Sequence, residues 1–224
     1  MSPLKLYYSP ISTPSRAVLM AIRNMNVDVE VVTLNLGTGE HKSAEFAKIN
    51  PRMCVPTIVD DDFVLCESKA ILMYLPHKMG MCKGRAFYPK CARQRALVHQ
   101  RLLFDSVDFY PNISNLVNLS FSDEPILTVK HKAAIVAALN VMETQFLNNG
   151  DFFVGNSATI ADFAFCSSVA ALIAIGFNIN DDYPKLLEWY ERMGTLKGFN
   201  ELSAGAQQTG AMVRKGLKNS FDDL

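Results

Sequence analysis

Net charge of either sign is missing from this chain: 22 Lys and Arg balance 22 Asp and Glu over 224 residues. Nothing global then draws it to nucleic acid or to an anionic membrane surface, and a small molecule or another protein is the expected partner. Long apolar runs are missing as well. Hydrophobic residues make up 49% of the sequence, but they are spread through periodic segments, short of the roughly 18 in a row that a membrane span requires. The opening "MSPLKLYYSP" has no basic flank, long apolar stretch or small-residue cleavage site, so no signal peptide is read there and the cytosol is the expected compartment. Cys-x-x-Cys spacing is absent. The five cysteines, Cys54, Cys66, Cys82, Cys91 and Cys166, are odd in number and are expected as reduced thiols, with neither a disulfide framework nor a zinc site. His41, His77, His99 and His131 show no ligand spacing, and no metal centre is expected.

What is present divides in two. "LKLYYS" reads as a strand and "SRAVLMAIRNM", after Thr13-Pro14, as a helix. "DVEVVTLNL", "SAEFAKIN", "TIVD", "DDFVLCES" and "SKAILMYLPHKMG" continue as strand, short helix, two strands and helix, with Asp60-Asp61-Asp62 as the turn between the last two strands. The order βαβαββα is that of a thioredoxin-like domain, assigned to residues 1–82. The Gly, Lys and Pro of "GMCKGRAFYP" mark a linker over 83–90. From 91 to 224 only helical periodicity appears, over about 92–109, 127–147, 161–175 and 185–193. The fold class is therefore α/β followed by an all-helical bundle. In "SATIADFAF", Thr159 and Asp162 have the spacing of a capping box and are assigned a structural role.

Two short stretches point to a ligand. In "NPRMCVPTI" a proline precedes the third strand, where a thioredoxin-like sheet is expected to have a cis bond that turns the backbone of Val55 outward, free to pair with an extended peptide as an added strand would. In "LCESKAI", Glu67-Ser68 opens a helix, whose N-terminal N–H groups and dipole favour a carboxylate. Local sequence equally allows Glu67 and Ser68 to be plain helix caps.

The combination "YYSPISTPSRAVLMAI", "LNLGTGEHKSAEFAKINP", "VPTIVDDDFVLCESKAILMYL" and "GNSATIADFAF" resembles the cytosolic glutathione transferases of the insect delta/epsilon kind, over nearly the whole chain. The resemblance implies glutathione as co-substrate and Ser12 as the catalytic hydroxyl, donating a hydrogen bond to the glutathione sulfur. A thiol with a pKa of about 8.5 is mostly protonated at neutral pH, so stabilising its thiolate multiplies the nucleophile. Ser12 as a mere N-cap is the alternative. Where redox relatives carry a cysteine, this turn has Ser12-x-x-Ser15, which argues against thiol–disulfide exchange there. His41, Arg52, Met53, Cys54, Val55, Pro56, Glu67, Ser68, Lys69 and Asp105 are implied to line the glutathione site. Two of them depart from the family pattern: Met53 replaces a histidine and cannot donate to a carboxylate, and Lys69 replaces an arginine and lacks its planar fork.

The second substrate, a hydrophobic electrophile, is expected between the domains. Phe104, Val107, Asp108, Tyr110, Pro111, Ile113, Phe121 and Phe221 are candidates for its wall, about half of them in contact with ligand, and Pro111 is expected to kink its helix. Family members pair through "ESKAILMYL" and the helix around Arg93 to Leu103, so a homodimer is expected. The reading is a glutathione transferase for detoxification, with peroxidase side activity. A non-catalytic carrier of hydrophobic ligands and a biosynthetic enzyme with one substrate are the alternatives.

Overall fold

The computed structural model describes residues 3–78, 87–180 and 182–224. Strand β1 (Leu4–Tyr8) buries Leu4, Leu6 and Tyr8 in alternation, the period of a strand with one face on a core. It lies parallel to β2 (Val29–Thr33), with Leu6 opposite Val31. Parallel neighbours need a crossover, and α1 (Thr13–Met25) supplies it. Ser12 caps this helix, Pro14 sits in the first turn where its missing N–H costs nothing, and Asn26 ends it in the left-handed region at φ 52°. After α2 (Ala44–Ile49), β3 (Thr57–Asp60) runs antiparallel to β1 and pairs with β4 (Phe63–Cys66), giving the order β2-β1-β3-β4. Helix α3 (Ser68–Lys78) packs on α1 and closes a thioredoxin-like unit.

The boundary at residue 82, Cys82 itself and residues 83–86 of the expected linker lie outside the described residues. The remainder of that linker is packed. Phe87 and Tyr88 are buried, Phe87 lies 5.3 Å from the ring of Phe163, and its carbonyl accepts a hydrogen bond from Ile160 N–H.

The helical half comprises α4 (Ala92–Phe104), α5 (Tyr110–Leu119), α6 (Val129–Val141), α7 (Ile160–Ile175), α8 (Pro184–Gly194) and α9 (Phe199–Gly216). Helix α7 is buried over all of its length except Ile173, so it forms the axis of this half. At its start Asp162 does more than cap. The carboxylate accepts from Thr159 N–H (2.7 Å), the Thr159 hydroxyl (2.8 Å), Phe153 N–H (3.0 Å) and the Trp189 indole (2.9 Å). Burial pushes its carboxyl upward, while the four donors pull the other way.

Two features depart from sequence expectation. Residues 199–216 form α9, an 18-residue helix that periodicity did not reveal because Gly205, Gly210 and Gly216 interrupt it. A Cβ at Gly205 would stand 2.4 Å from Pro10 O, and one at Gly210 would stand 2.2 Å from Ala174 O. A glycine inside a helix costs about 1 kcal/mol against alanine. Here it allows α9 to press against both α7 and the turn before α1. The expected kink at Pro111 appears as a π-helical turn over Asp105–Phe109, joining α4 to α5 directly ahead of the proline.

Candidate active site

A cleft of about 320 Å³ opens where the first turns of α1 and α3 face the π-helical turn. Pro14 contributes from α1. Arg52, Cys54, Val55 and Pro56 contribute from the segment before β3, and Glu67, Ser68 and Lys69 from the start of α3. Ser106 and Tyr110 close it from the helical half.

The Val55–Pro56 bond is cis, and neither the N–H nor the C=O of Val55 has a hydrogen-bond partner among the described residues. A free donor and acceptor on one residue at the wall of a cleft offer an incoming peptide one rung of a ladder. Glu67 is held at φ 71° and Met53 at φ 49°, conformations that residues with a Cβ adopt at a cost of order 1–3 kcal/mol. Both flank segments that line the cleft. The Ser68 side chain, Lys69 and the first N–H groups of α3 are thereby turned toward one space.

Ser12 stands two residues before Pro14, half-buried at the N-terminus of α1. Its Oγ accepts from Ser15 N–H at 3.3 Å, which uses a lone pair and leaves the hydroxyl proton to donate elsewhere. The cap and the donor are thus one group in two roles. Carbonyls on both sides of Ser12 are fixed from the helical half. The Thr209 hydroxyl of α9 lies 3.0 Å from Ile11 O, and the Ser167 hydroxyl of α7 donates to Thr13 O at 2.6 Å. Arg16, 1% exposed, donates to Pro10 O (2.8 Å), Thr13 Oγ1 (3.0 Å) and Thr209 Oγ1 (3.1 Å). Burial pushes its guanidinium down to about 10, still charged at neutral pH.

Charge is paired across the cleft. Asp105, fully buried, lies against the Lys69 ammonium through Oδ2, a contact of charge rather than an aligned hydrogen bond, while Oδ1 accepts from Ser168 Oγ at 3.0 Å. Lys69 also sits 5.7 Å above the Tyr110 ring. Arg52 pairs with Glu67 at the exposed rim.

Other candidates stand apart from this cleft. His41, half-buried on a short 3₁₀ turn (Glu40–Lys42), does not line it, and its Nδ1 is buried with no partner among the described residues. Met53 is 39% exposed and also outside the lining. Of the eight candidates for the hydrophobic wall, only Tyr110 lines it. Phe104 packs edge-on against Phe146 at 5.0 Å, Ile113 is buried, and Phe221 is buried against Phe177 at 5.1 Å near the chain's end. Val107, Asp108 and Phe121 are exposed, and Pro111 is half-buried. Asp105, Phe109 and Ile113 face inward, whereas Ser106 and Tyr110 face the cleft. Ser106 and Pro14 also line the cleft; no motif in the sequence marks the serine, and Thr13-Pro14 marks only a helix start. Among the described residues no group of three or more His, Cys, Asp or Glu side chains is placed to hold a metal, and no helix is long and apolar enough to cross a membrane.

Two family descriptions match the chain, "Glutathione S-transferase, N-terminal domain" over residues 2–77 and "Glutathione S-transferase, C-terminal domain" over residues 128–201. Among solved structures, the chain is similar to glutathione S-transferase unclassified 2 from Bombyx mori (34% identity, TM-score 0.89, covering 97% of this chain and 100% of that one). It is also similar to a delta-class glutathione transferase from Nilaparvata lugens (34%, 0.88, 96% and 100%). A third is a glutathione transferase homologue from Drosophila mojavensis with bound glutathione (33%, 0.89, 97% and 99%).

Proposed function

Because the chain belongs to the glutathione transferase family, we propose that the cleft holds glutathione with its thiol at Ser12, its backbone on Val55 and its γ-glutamyl end at Glu67, Ser68 and the Lys69–Asp105 pair. The protein is a glutathione transferase with glutathione as co-substrate. The carrier reading is not favoured. The observation that carries the assignment of roles is the Ser12 hydroxyl, whose lone pair is engaged by Ser15 N–H and whose proton has no acceptor among the described residues, at the positive end of α1.

In this reading the Ser12 O–H donates to the glutathione sulfur and favours its thiolate. One hydrogen bond to a charged group contributes about 1.5–3 kcal/mol, equivalent to lowering the thiol by one to two pH units. The sulfur then attacks the electrophilic carbon, the S–C bond forms, and a leaving group such as halide departs from an aryl halide. The electrophile is apolar and lies beside Tyr110.

Two copies pair through α3 and α4 in the cytosol. Phe63, Val64, Leu97 and Leu103 on β4 and α4 are large apolar side chains more than 40% exposed, which suits a face covered by a second chain. Sedimentation showing a monomer at micromolar concentration would refute the pairing.

Ser12→Ala tests the central role. Turnover of an aryl halide should fall about ten- to a hundredfold, and its pH profile should move up by one to two units, while glutathione affinity stays within about twofold. Undiminished activity would pass the role to another donor, with Tyr7 the first to examine.

A further inference from the structure

Cys54 and Cys66 are neighbours in space. The β3–β4 pairing sets Cys66 opposite Thr57, and the Thr57 hydroxyl donates to Cys54 O at 2.8 Å, folding the segment before the cis-proline back over the strand end. Asn50 Nδ2 fastens the same corner, reaching Thr57 Oγ1 at 2.9 Å, Cys54 O at 3.2 Å and Cys54 Sγ at 3.4 Å. Both thiols are free and half-buried at this one corner, and Cys54 opens onto the cleft. Each is followed directly by a residue of the cleft wall, Val55 in one case and Glu67 in the other.

We propose that Cys54 and Cys66 are a redox pair, converted by a hydroperoxide into an intramolecular disulfide that weakens glutathione binding. The Cys54 thiolate attacks the distal peroxide oxygen, the O–O bond breaks, and the alkoxide leaves as the alcohol on taking a proton, giving a sulfenic acid. The Cys66 sulfur then attacks Cys54 Sγ, its proton goes to the departing hydroxide, and water leaves. Two electrons have passed from the thiols to the peroxide. A dithiol reductant reverses the change by two thiol–disulfide exchanges.

The guanidinium of Arg52 favours the Cys66 thiolate, opposing the burial that pushes that thiol up. Cys166 is sealed in α7, where burial raises its thiol steeply. Cys91 is the competitor for oxidant, exposed and lowered by the N–H groups of Gln94 and Arg93. Forming the bond draws the sulfurs to about 2.05 Å, a contraction shared by the segments carrying Val55 and Glu67. The loss of affinity rests on the assignment of glutathione to this cleft.

The test treats the full chain with hydrogen peroxide, alkylates the remaining thiols and maps the peptides by mass spectrometry. Glutathione affinity is measured by calorimetry before oxidation, after it, and after dithiothreitol. A peptide linked through Cys54 and Cys66, with a several-fold loss of affinity that the reductant restores, is expected. Cys66→Ser, or Cys66→Ala if the serine variant fails to fold, should keep the reduced protein's affinity and give no peptide linked through Cys54 after peroxide. Alkylation of both thiols after peroxide, or a formed disulfide with unchanged affinity, would overturn the proposal. A reduced protein that binds no glutathione would instead refute the assignment of the cleft, and the peptide map would still judge the pair.

Discussion

Thr209→Val probes how the helical half holds the turn that carries Ser12. Valine keeps the volume and β-branching of threonine and removes only the hydroxyl, at a position 1% exposed where water cannot replace it. Two interactions go: the acceptor for Arg16 Nη1 at 3.1 Å, and the donor shared between Ile11 O and Gly205 O, each at 3.0 Å. The first is a hydrogen bond to a charge, worth about 1.5–3 kcal/mol, and the second a neutral one worth about 0.5–1.5 kcal/mol. A loss of about 2–4 kcal/mol follows, or roughly 4–16 °C in Tm for a chain of this size. Arg16 keeps Pro10 O and Thr13 Oγ1, so the variant should still fold. Urea unfolding followed by fluorescence of the sole tryptophan, Trp189, buried and stacked 4.5 Å from Phe153, measures the stability. Steady-state conjugation should show kcat reduced several-fold, because Ile11 immediately precedes the serine. Thr209→Ser retains the hydroxyl and should lose only about 1 kcal/mol for its methyl, with kinetics preserved. A valine variant within about 0.5 kcal/mol of the parent, or a serine variant as damaged as the valine one, would show that these hydrogen bonds do not hold the turn.

Asp162→Ala strands four buried donors and should cost at least about 4 kcal/mol, read by urea unfolding or as failure to accumulate soluble protein. Asp60 accepts from Lys78 and Tyr74, which hold its carboxyl below the ordinary range. With the folded value below the unfolded one of about 3.9, the contribution is complete above that pH and is lost as pH falls through the folded value. Asp60→Asn should therefore lower stability by about 1–2 kcal/mol at neutral pH, and the gap should close in acid; a gap independent of pH would contradict the pairing. Gly210→Ala should destabilise despite alanine's helix propensity, since its Cβ meets Ala174 O, whereas Gly194→Ala, with Phe199 at 3.8 Å, should be neutral or stabilising; thermal melts of the two decide.

The α/β half was legible because its signals are local. Alternation in "LKLYYS", a proline before β3 and Glu-Ser ahead of α3 each act within a few residues, and the structure assembles Val55, Glu67, Ser68 and Lys69 around one cleft. Helix α9 was illegible for the opposite reason. Gly205 and Gly210 read as helix breakers in isolation, and only the approach of Pro10 and Ala174 explains them. Phe221 is a candidate for the pocket wall in the sequence; in the fold it is buried against Phe177, far from it along the chain, a contact that no local pattern marks. That Cys54 and Cys66 come to one corner depends on the hairpin register and on Asn50, neither of which a count of cysteines can express.

The π-helical turn at 105–109 works as a phase shifter. One surplus residue in a helix rotates all that follows by about 100° and moves it by about 1.5 Å. Which side chains of α5 look into the cleft is thus decided by chain length at this turn as much as by residue identity. Deleting a single residue here would rotate Tyr110 away and bring in a neighbour, with no substitution anywhere in the wall. With the electrophile beside Tyr110 as proposed, gain or loss of one codon at this point would change the range of electrophiles accepted.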